Sequence, residues 1–367
     1  MKKTLVTLAV LGAFAGVASA DVTVYGIIDT NIQRTSADGS GSVLGVNTGG
    51  MQTSRYGLKG SEDLGNGLKA NFVLEGQFNS DTGAIGPNTS TDNRTAGGSS
   101  TALFGRRSIV GLSGGFGAVD FGRDYVPSYQ ILSGFSAFGI NGSAATQAQN
   151  CTGLGLAASA CPTSVRASNA ILYTLPGNLG GFYGKALYAF GENNSNATDD
   201  SDGRVIDVRV GFKAAGLDVT VANHKTKYTT PAVSSSTPGD FKRTVLGASY
   251  TIGNFKPMLF WNDVEVKTSA STKAERKDWG LGLVATFGQH QVRATYHDYD
   301  VKNTDNDANL IGLGYVYNMS KRTSLYATYG RVDNDNTGTT FRTVGGTAPT
   351  TAGGASTGYE VGVMHSF

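Results

Sequence analysis

Residues 67–78, GLKANFVLEGQF, alternate strictly between two faces: Leu68, Ala70, Phe72, Leu74, Gly76 and Phe78 take one, and Lys69, Asn71, Val73, Glu75 and Gln77 take the other. A period of two residues belongs to a strand with unlike faces. A soluble sandwich produces the same local pattern, so one strand decides nothing. Repetition decides more. Segments of about ten residues, long for ordinary strands, recur with this pattern through to the last residue. Ile206, Val208, Val210 and Phe212 oppose Asp207, Arg209 and Lys213, and Trp279, Leu281, Leu283, Ala285 and Phe287 share one face further on.

Read in this way, strands fall near 22–33, 53–62, 67–78, 102–113, 116–123, 168–175, 182–191, 204–213, 217–227, 242–252, 255–267, 277–287, 290–301, 308–317, 323–332 and 357–367, sixteen in all. Short connections (63–66, 114–115, 176–181, 214–216, 253–254, 288–289, 318–322) alternate with long polar ones (34–52, 79–101, 124–167, 228–241, 333–356). An even strand count with loop length segregated by end is the signature of an outer-membrane barrel, which has short periplasmic turns and longer outer loops. A soluble sandwich has no reason to sort its loops by end. No apolar stretch beyond residue 20 approaches the roughly 20 residues a spanning helix needs. A membrane chain without helices must then close a barrel, since hydrocarbon leaves an open sheet edge unsatisfied. The expected fold is all-β: a 16-stranded antiparallel transmembrane β-barrel with a long inserted third loop, forming one domain over 21–367.

The start reads as a signal peptide, residues 1–20, cleaved after Ala20: Lys2 and Lys3, an apolar run from Leu5 to Val17, then Ala18-Ser19-Ala20. Its loss removes two lysines and takes the formal net charge from +2 to zero. A balanced chain without a basic stripe argues against nucleic acid as partner. Glycine, 52 of 367 residues, is about twice its usual share without a three-residue period, which excludes collagen. His224, His290, His297 and His365 show no metal-ligand spacing, and no P-loop, HExxH or GxSxG motif occurs. No enzymatic activity, metal or cofactor is expected.

Ser54-Arg55-Tyr56-Gly57-Leu58-Lys59-Gly60-Ser61-Glu62-Asp63-Leu64-Gly65 followed by Gly67-Leu68-Lys69-Ala70 closely resembles the second hairpin of trimeric porins of the Gram-negative outer membrane, from the beta-proteobacterial and neisserial branch. Leu103 to Arg106, Val110 to Gly114, Phe116-Gly117, Gly122-Arg123, Val24-Tyr25-Gly26 with Asp29, Ser320 to Thr323 and Gly362 to Phe367 fit the same family. The resemblance implies export through the periplasm, a homotrimer among membrane lipid and lipopolysaccharide, and passive diffusion of small hydrophilic solutes and ions. It makes the terminal Phe367 the signal to the barrel-assembly machinery. It also folds the insertion at 124–167 into the barrel, a length that by itself marks a functional or a disordered loop.

The same resemblance assigns Arg55, Arg106 and Arg166 to the basic side of a pore constriction, with Lys59, Asp29, Glu75, Arg123 and Tyr125 as further pore-lining residues. Arg55 shares its face with Lys59 while Tyr56 and Leu58 point to lipid, which supports a lumen position; parity supports Arg106 less, because Phe104 and Val110 fall on its face. Enteric relatives carry an acidic pair on the inserted loop, whereas between Asp124 and Arg166 this chain has no Asp or Glu. Arginines facing a wall without carboxylates focus a positive potential in a narrow pore, so anions are the expected preference. Alternatively these arginines pair with Asp29, Glu75 or Asp120 and stay electrically quiet. Cys151 and Cys161 lie in that loop, and an exported chain passes an oxidising compartment, so a disulfide is expected. The rival reading is a substrate-selective channel for a particular anion or sugar, with Tyr125, Tyr129, Phe135 and Phe138 beside the constriction.

Overall fold

A computed structural model describes residues 21–85, 93, 102–155, 162, 164–197, 199–229, 239–267 and 272–367. The expected signal peptide lies outside these residues. The strands are β1 (Asp21–Ala37), β2 (Gly41–Thr48), β3 (Arg55–Gly65), β4 (Leu68–Gln77), β5 (Arg107–Gly114), β6 (Gly117–Tyr125), β7 (Arg166–Thr174), β8 (Phe182–Ala189) and β9 (Val205–Ala214). They continue as β10 (Leu217–Tyr228), β11 (Gly239–Tyr250), β12 (Phe255–Lys267), β13 (Lys273–Phe287), β14 (His290–Val301), β15 (Ala308–Asn318), β16 (Thr323–Asn334) and β17 (Ala355–Ser366). One helix, α1 (Pro127–Gly134), opens the inserted loop.

Every strand pairs antiparallel with its neighbour, and β1 closes the ring on β17 from Ile27↔Ser366 to Ala37↔Ser356. Seventeen hydrogen-bonded segments make sixteen staves, because β2 and β3 occupy one position: β2 pairs with the outer half of β1 and β3 with its inner half. Phe367 completes the seam by exchanging two backbone hydrogen bonds with Gly26. The ring is a closed 16-stranded barrel.

Two expectations are corrected here. The connection at 34–52 is not a loop: β1 runs on to Ala37, the chain turns at Gly39 (φ 78°), and Gly41–Thr48 returns as a strand. Its adjacent Val43 and Leu44, both exposed, break the alternation that marks the other strands. The strand placed at 102–113 begins only at Arg107, because 102–106 form a turn in which the Gly105 amide bonds the Ala102 carbonyl.

Sorting between faces follows the sequence alternation. On β12, Leu259 is 41% exposed on the outer wall and its neighbour Phe260 is 0% exposed inside. On β4, Phe72 packs over Gly60 on the outer face, while Glu75 is held inside by Arg106. Phe72→Arg is expected to cost about 2–4 kcal/mol near the bilayer midplane, whereas Asn71→Arg, facing the lumen one residue away, is tolerated. Urea unfolding of the two variants in vesicles measures the difference; equal midpoints would contradict this register.

Candidate functional site

The inserted loop lies against the inner wall at three places, each closed by a charged side chain. At the first, Pro127 starts α1, and the Asp207 carboxylate of β9 accepts the Ser128 N–H at 3.1 Å and its hydroxyl at 2.6 Å. An anion at a helix N-terminus meets unpaired N–H groups and the positive end of the dipole. His224 of β10 holds that carboxylate from behind at 2.8 Å. Ile131, Leu132 and Phe135 then bury themselves against Ala222, Val245 and Phe260.

At the second place the tip of the loop reaches β1 and β17. Glu360 accepts the Ser143 N–H at 2.7 Å, its hydroxyl at 2.8 Å and the Gln33 amide at 2.6 Å. At the third, the returning arm is gripped by two buried arginines that donate to its backbone carbonyls. Arg243 reaches Ala148 (3.1 Å), Gln149 (3.0 Å) and Ser164 (3.3 Å); Arg276 reaches Thr152, Ala148 and Asn150 and is paired with Asp278 at 2.7 Å. Cys151, 3% exposed, and Leu154 pack beside them on Tyr228, Phe241, Val264 and Val266.

Between these anchors the loop runs in a track of glycines. A Cβ at Gly247 would lie 2.7 Å from Ile131, one at Gly314 2.6 Å from Phe138, and those at Gly282, Gly312, Gly330 and Gly358 would meet Ala137, Ala144 or Ser143. Six of the 52 glycines thus form the bed of this loop.

A second insertion narrows the lumen from the opposite wall. Thr30↔Thr48 and Ile27↔Arg55 are paired, so 49–54 have only Ile28 and Asp29 opposite them and fold inward. Asp29, 0% exposed, holds this bulge by accepting the Met51 (2.8 Å) and Gln52 (2.7 Å) amides and the Tyr326 hydroxyl (2.6 Å). Thr53 of the bulge donates to Asn141 of the loop at 2.9 Å, which joins the two insertions.

The opening left between them is a cavity of about 560 Å³. Arg55 and Arg106 line one side, Lys256 and Arg293 the other, with Gln52, Tyr125, Tyr129 and Gln130 between. No carboxylate belongs to the described lining. Arg55 donates to the Gln52 amide oxygen at 3.2 Å and Arg293 to that of Gln291 at 2.6 Å. Arg106 is paired with Glu75 at 2.6 Å and bonds the Tyr125 hydroxyl. Its inward position comes from the turn at 102–106, which breaks the alternation and brings Arg106 and Arg107 into the lumen together.

Arg166 sits behind this surface: it donates to the Tyr125 hydroxyl at 2.7 Å and lies 4.3 Å from the ring, which stacks on Tyr129 at 5.3 Å. Burial pushes the Tyr129 phenol up, so it stays neutral. Arg123 is 6% exposed and bonds the Gly105 carbonyl at 2.7 Å. Lys59 lies 5.3 Å over the Tyr25 ring, and Tyr25 donates to Glu75 at 3.0 Å. Sequence reasoning missed Lys256 and Arg293, although both hold the inward parity of their strands. It also missed Arg107, bound to Asp124 at 2.8 Å, whose parity with Ile109 against the outward Val110 was the available signal. Cys161 lies outside the described residues.

A family model described as Gram-negative porin matches residues 7–337. The chain belongs to the Gram-negative porin family. The porin is 36% identical over 373 residues to outer membrane porin protein 32 of Delftia acidovorans, with 100% of both chains covered. An outer membrane porin protein of Bordetella pertussis is 30% identical, with 89% of the porin and 93% of that relative aligned. Among solved structures it is similar to an anion-selective porin from Comamonas acidovorans, with a TM-score of 0.81 and 33% identity over 95% of the porin and 100% of that chain. The porin is an outer-membrane channel for passive diffusion, its lumen narrowed where the loop and the bulge meet.

Proposed function

We propose that this porin passes small hydrophilic solutes and favours anions. One observation carries the reading: Arg55, Arg106, Lys256 and Arg293 line the opening without a carboxylate among them. The adjacent acidic groups are paired, Glu75 with Arg106 itself and Asp124 with Arg107, which leaves Arg55, Lys256 and Arg293 as the excess. The solved Comamonas porin, described as anion-selective, agrees with this. In a planar bilayer across a potassium chloride gradient, the dilute side is expected to become negative as chloride leads. The preference should weaken as salt rises, since charges are screened over about 10 Å at 0.1 M. A positive dilute side would overturn the proposal.

The stacked Tyr125–Tyr129 pair beside Arg106 favours, as a second reading, retention of a particular organic anion or sugar. Saturable block of the current by one solute would select it. Enzymatic chemistry has no place in the proposal.

Assembly follows the same reading. Residues 1–20 direct export, Phe367 marks the chain for the barrel-assembly machinery, and three copies associate through the β1–β17 sector. That sector exposes Val22, Val24, Ile28, Ile32, Val361 and Val363. A solved trimer form of OmpT from Vibrio cholerae supports trimers on this fold. Heat-resistant oligomer bands in mild detergent are expected, and monomers alone would count against it.

Cys151 and Cys161 are proposed to be joined. Cys151 is buried, no described cysteine is free, and the chain has 2 cysteines. Unreduced peptides of protein taken from the membrane should show one linked pair by mass spectrometry; two thiols open to alkylation would end the idea.

A further inference from the structure

On the short-turn side of the opening the lumen holds a second cavity of about 560 Å³, bounded by Gly26 and Phe367 of the seam and by Glu75, Arg107, Asp124 and Lys185 of the wall. Arg55, Tyr125 and Gln130 line both cavities, so Arg55 meets an ion on either side of the narrowing.

The two carboxylates of this lining are closed off behind their partners. Asp124 is buried and takes two hydrogen bonds from Arg107, at 2.8 and 2.9 Å, and Glu75 is buried against Arg106. The cations are left more open. Lys185 of β8 stands directly opposite Arg209 of β9, both on the inward parity of their strands, with Tyr188 and Val208 exposed on the outer face. Among the described residues neither forms an ion pair: Arg209 donates to the Thr220 hydroxyl at 3.0 Å and to that of Tyr183 at 3.2 Å. Lys185 lies in the field of both Arg107 and Arg209. Two further carboxylates face this stretch of wall. Asp218 of β10 is engaged by Tyr183 at 2.6 Å and by Lys213 at 3.9 Å. Asp120 of β6 faces Lys185 and Arg107 and, among the described residues, forms an ion pair with neither. Like charges directly across a strand pair destabilise a sheet unless a counter-charge meets them.

We propose that Arg107, Lys185 and Arg209 form a second anion site, separate from the opening, and that an anion crosses the porin in two steps with Arg55 between them. The inference rests on the anion preference proposed above and adds a second place where the ion pauses. The occupant is a small hydrated anion, and a divalent oxyanion gains twice what chloride gains from each cation, so it is held longer. Enclosure in the lumen strengthens the field of these groups over that of the same charges on an open surface. Two shallow sites in series suit a channel, because each lets go of an ion that one deep site would retain.

Sulfate is the probe. Single channels of the porin carry chloride across a planar bilayer at about 0.1 M salt, and sulfate is titrated into one compartment and then into the other. It is expected to block from both sides and more strongly from one, the side that meets the second site first. Lys185→Gln with Arg209→Gln should weaken block from that side by about five- to tenfold and change block from the other side less than about twofold. Asp120→Asn removes the carboxylate that faces these cations and should strengthen block from the same side, a gain that a damaged barrel would not give. It decides the matter alone if the double change prevents insertion. Both variants should keep the sign of the salt-gradient potential, because the opening is unaltered. Equal block from the two sides of the unaltered porin overturns the proposal. So does one-sided block that survives the double change, or a double change that weakens block equally from both sides. In each of these cases a chloride-led potential leaves the proposed preference standing, whereas a cation-led potential in the unaltered porin removes that preference and this site with it.

Discussion

Replacing Arg55, Arg106, Lys256 and Arg293 together by glutamine is expected to carry the zero-current potential through zero to the cation-selective side. Among the described residues three of the four form no ion pair, so their loss removes positive charge from the opening. The fourth is paired with Glu75, and without Arg106 that carboxylate keeps, among the described residues, the hydrogen bond from Tyr25. A unit charge about 5 Å from an ion in water contributes about 0.8 kcal/mol, roughly fourfold in local concentration. Anion and cation respond in opposite directions, so the ratio moves by up to about fifteenfold per charge before screening. Arg166→Gln alone should shift the potential less, because Arg166 lies behind Tyr125. Arg342→Gln, on an outer loop, should leave it in place. If the fourfold variant kept the selectivity of the parent, the lumen charges would not be its source.

The second large effect is expected at the arm of the inserted loop. Arg276→Met leaves the buried Asp278 with the Asn262 amide at 2.6 Å and the field of Arg243, and strips donors from the carbonyls of Ala148, Asn150 and Thr152. Breaking a buried ion pair by removing one partner costs about 3–5 kcal/mol. The barrel can avoid that cost by letting the arm leave the wall so that water reaches Asp278. Single channels of the variant should therefore conduct more and flicker, while the strands unfold near the parental urea midpoint. A quiet parental current would mean that Arg243 and the other two anchors are enough to hold the loop. A large fall in the midpoint would place the arm in the core of the barrel's stability. Asp278→Asn keeps the shape of the contact and should show a milder form of the same behaviour.

The wall of this channel was legible in the sequence and its furniture was not. Strands such as 255–267 and 290–301 coincide with β12 and β14, because lipid on one side and polar contents on the other force an alternation that no neighbour can override. Gly41–Thr48 escaped because Val43 and Leu44 are adjacent apolar residues, both exposed, so its two faces are not sorted. Arg106 defied its parity because a turn, set by one Gly105–Ala102 hydrogen bond, reset the alternation just before β5. Nothing local to Ser143 tells that it meets Glu360, 217 residues away, or to Ser128 that it meets Asp207. The glycines were visible as an excess of composition, yet their purpose lay in what crosses them. Lys256 and Arg293 were each readable as inward-facing, but their convergence on one opening is a property of the closed ring.

The bed of the inserted loop also fixes an order of events. Its tip rests on Gly330 and Gly358 and is tied down by Glu360, all on the two strands made last, while the loop itself precedes β7. Before β16 and β17 join β1, the part of that bed under the tip does not exist. The first and third anchors lie on β9–β13 and are complete earlier, whereas the tip gains its seat only as the seam at Gly26 and Phe367 shuts. Completion of the C-terminal strand thus does two things at once: it closes the ring and it seats the tip that narrows the lumen.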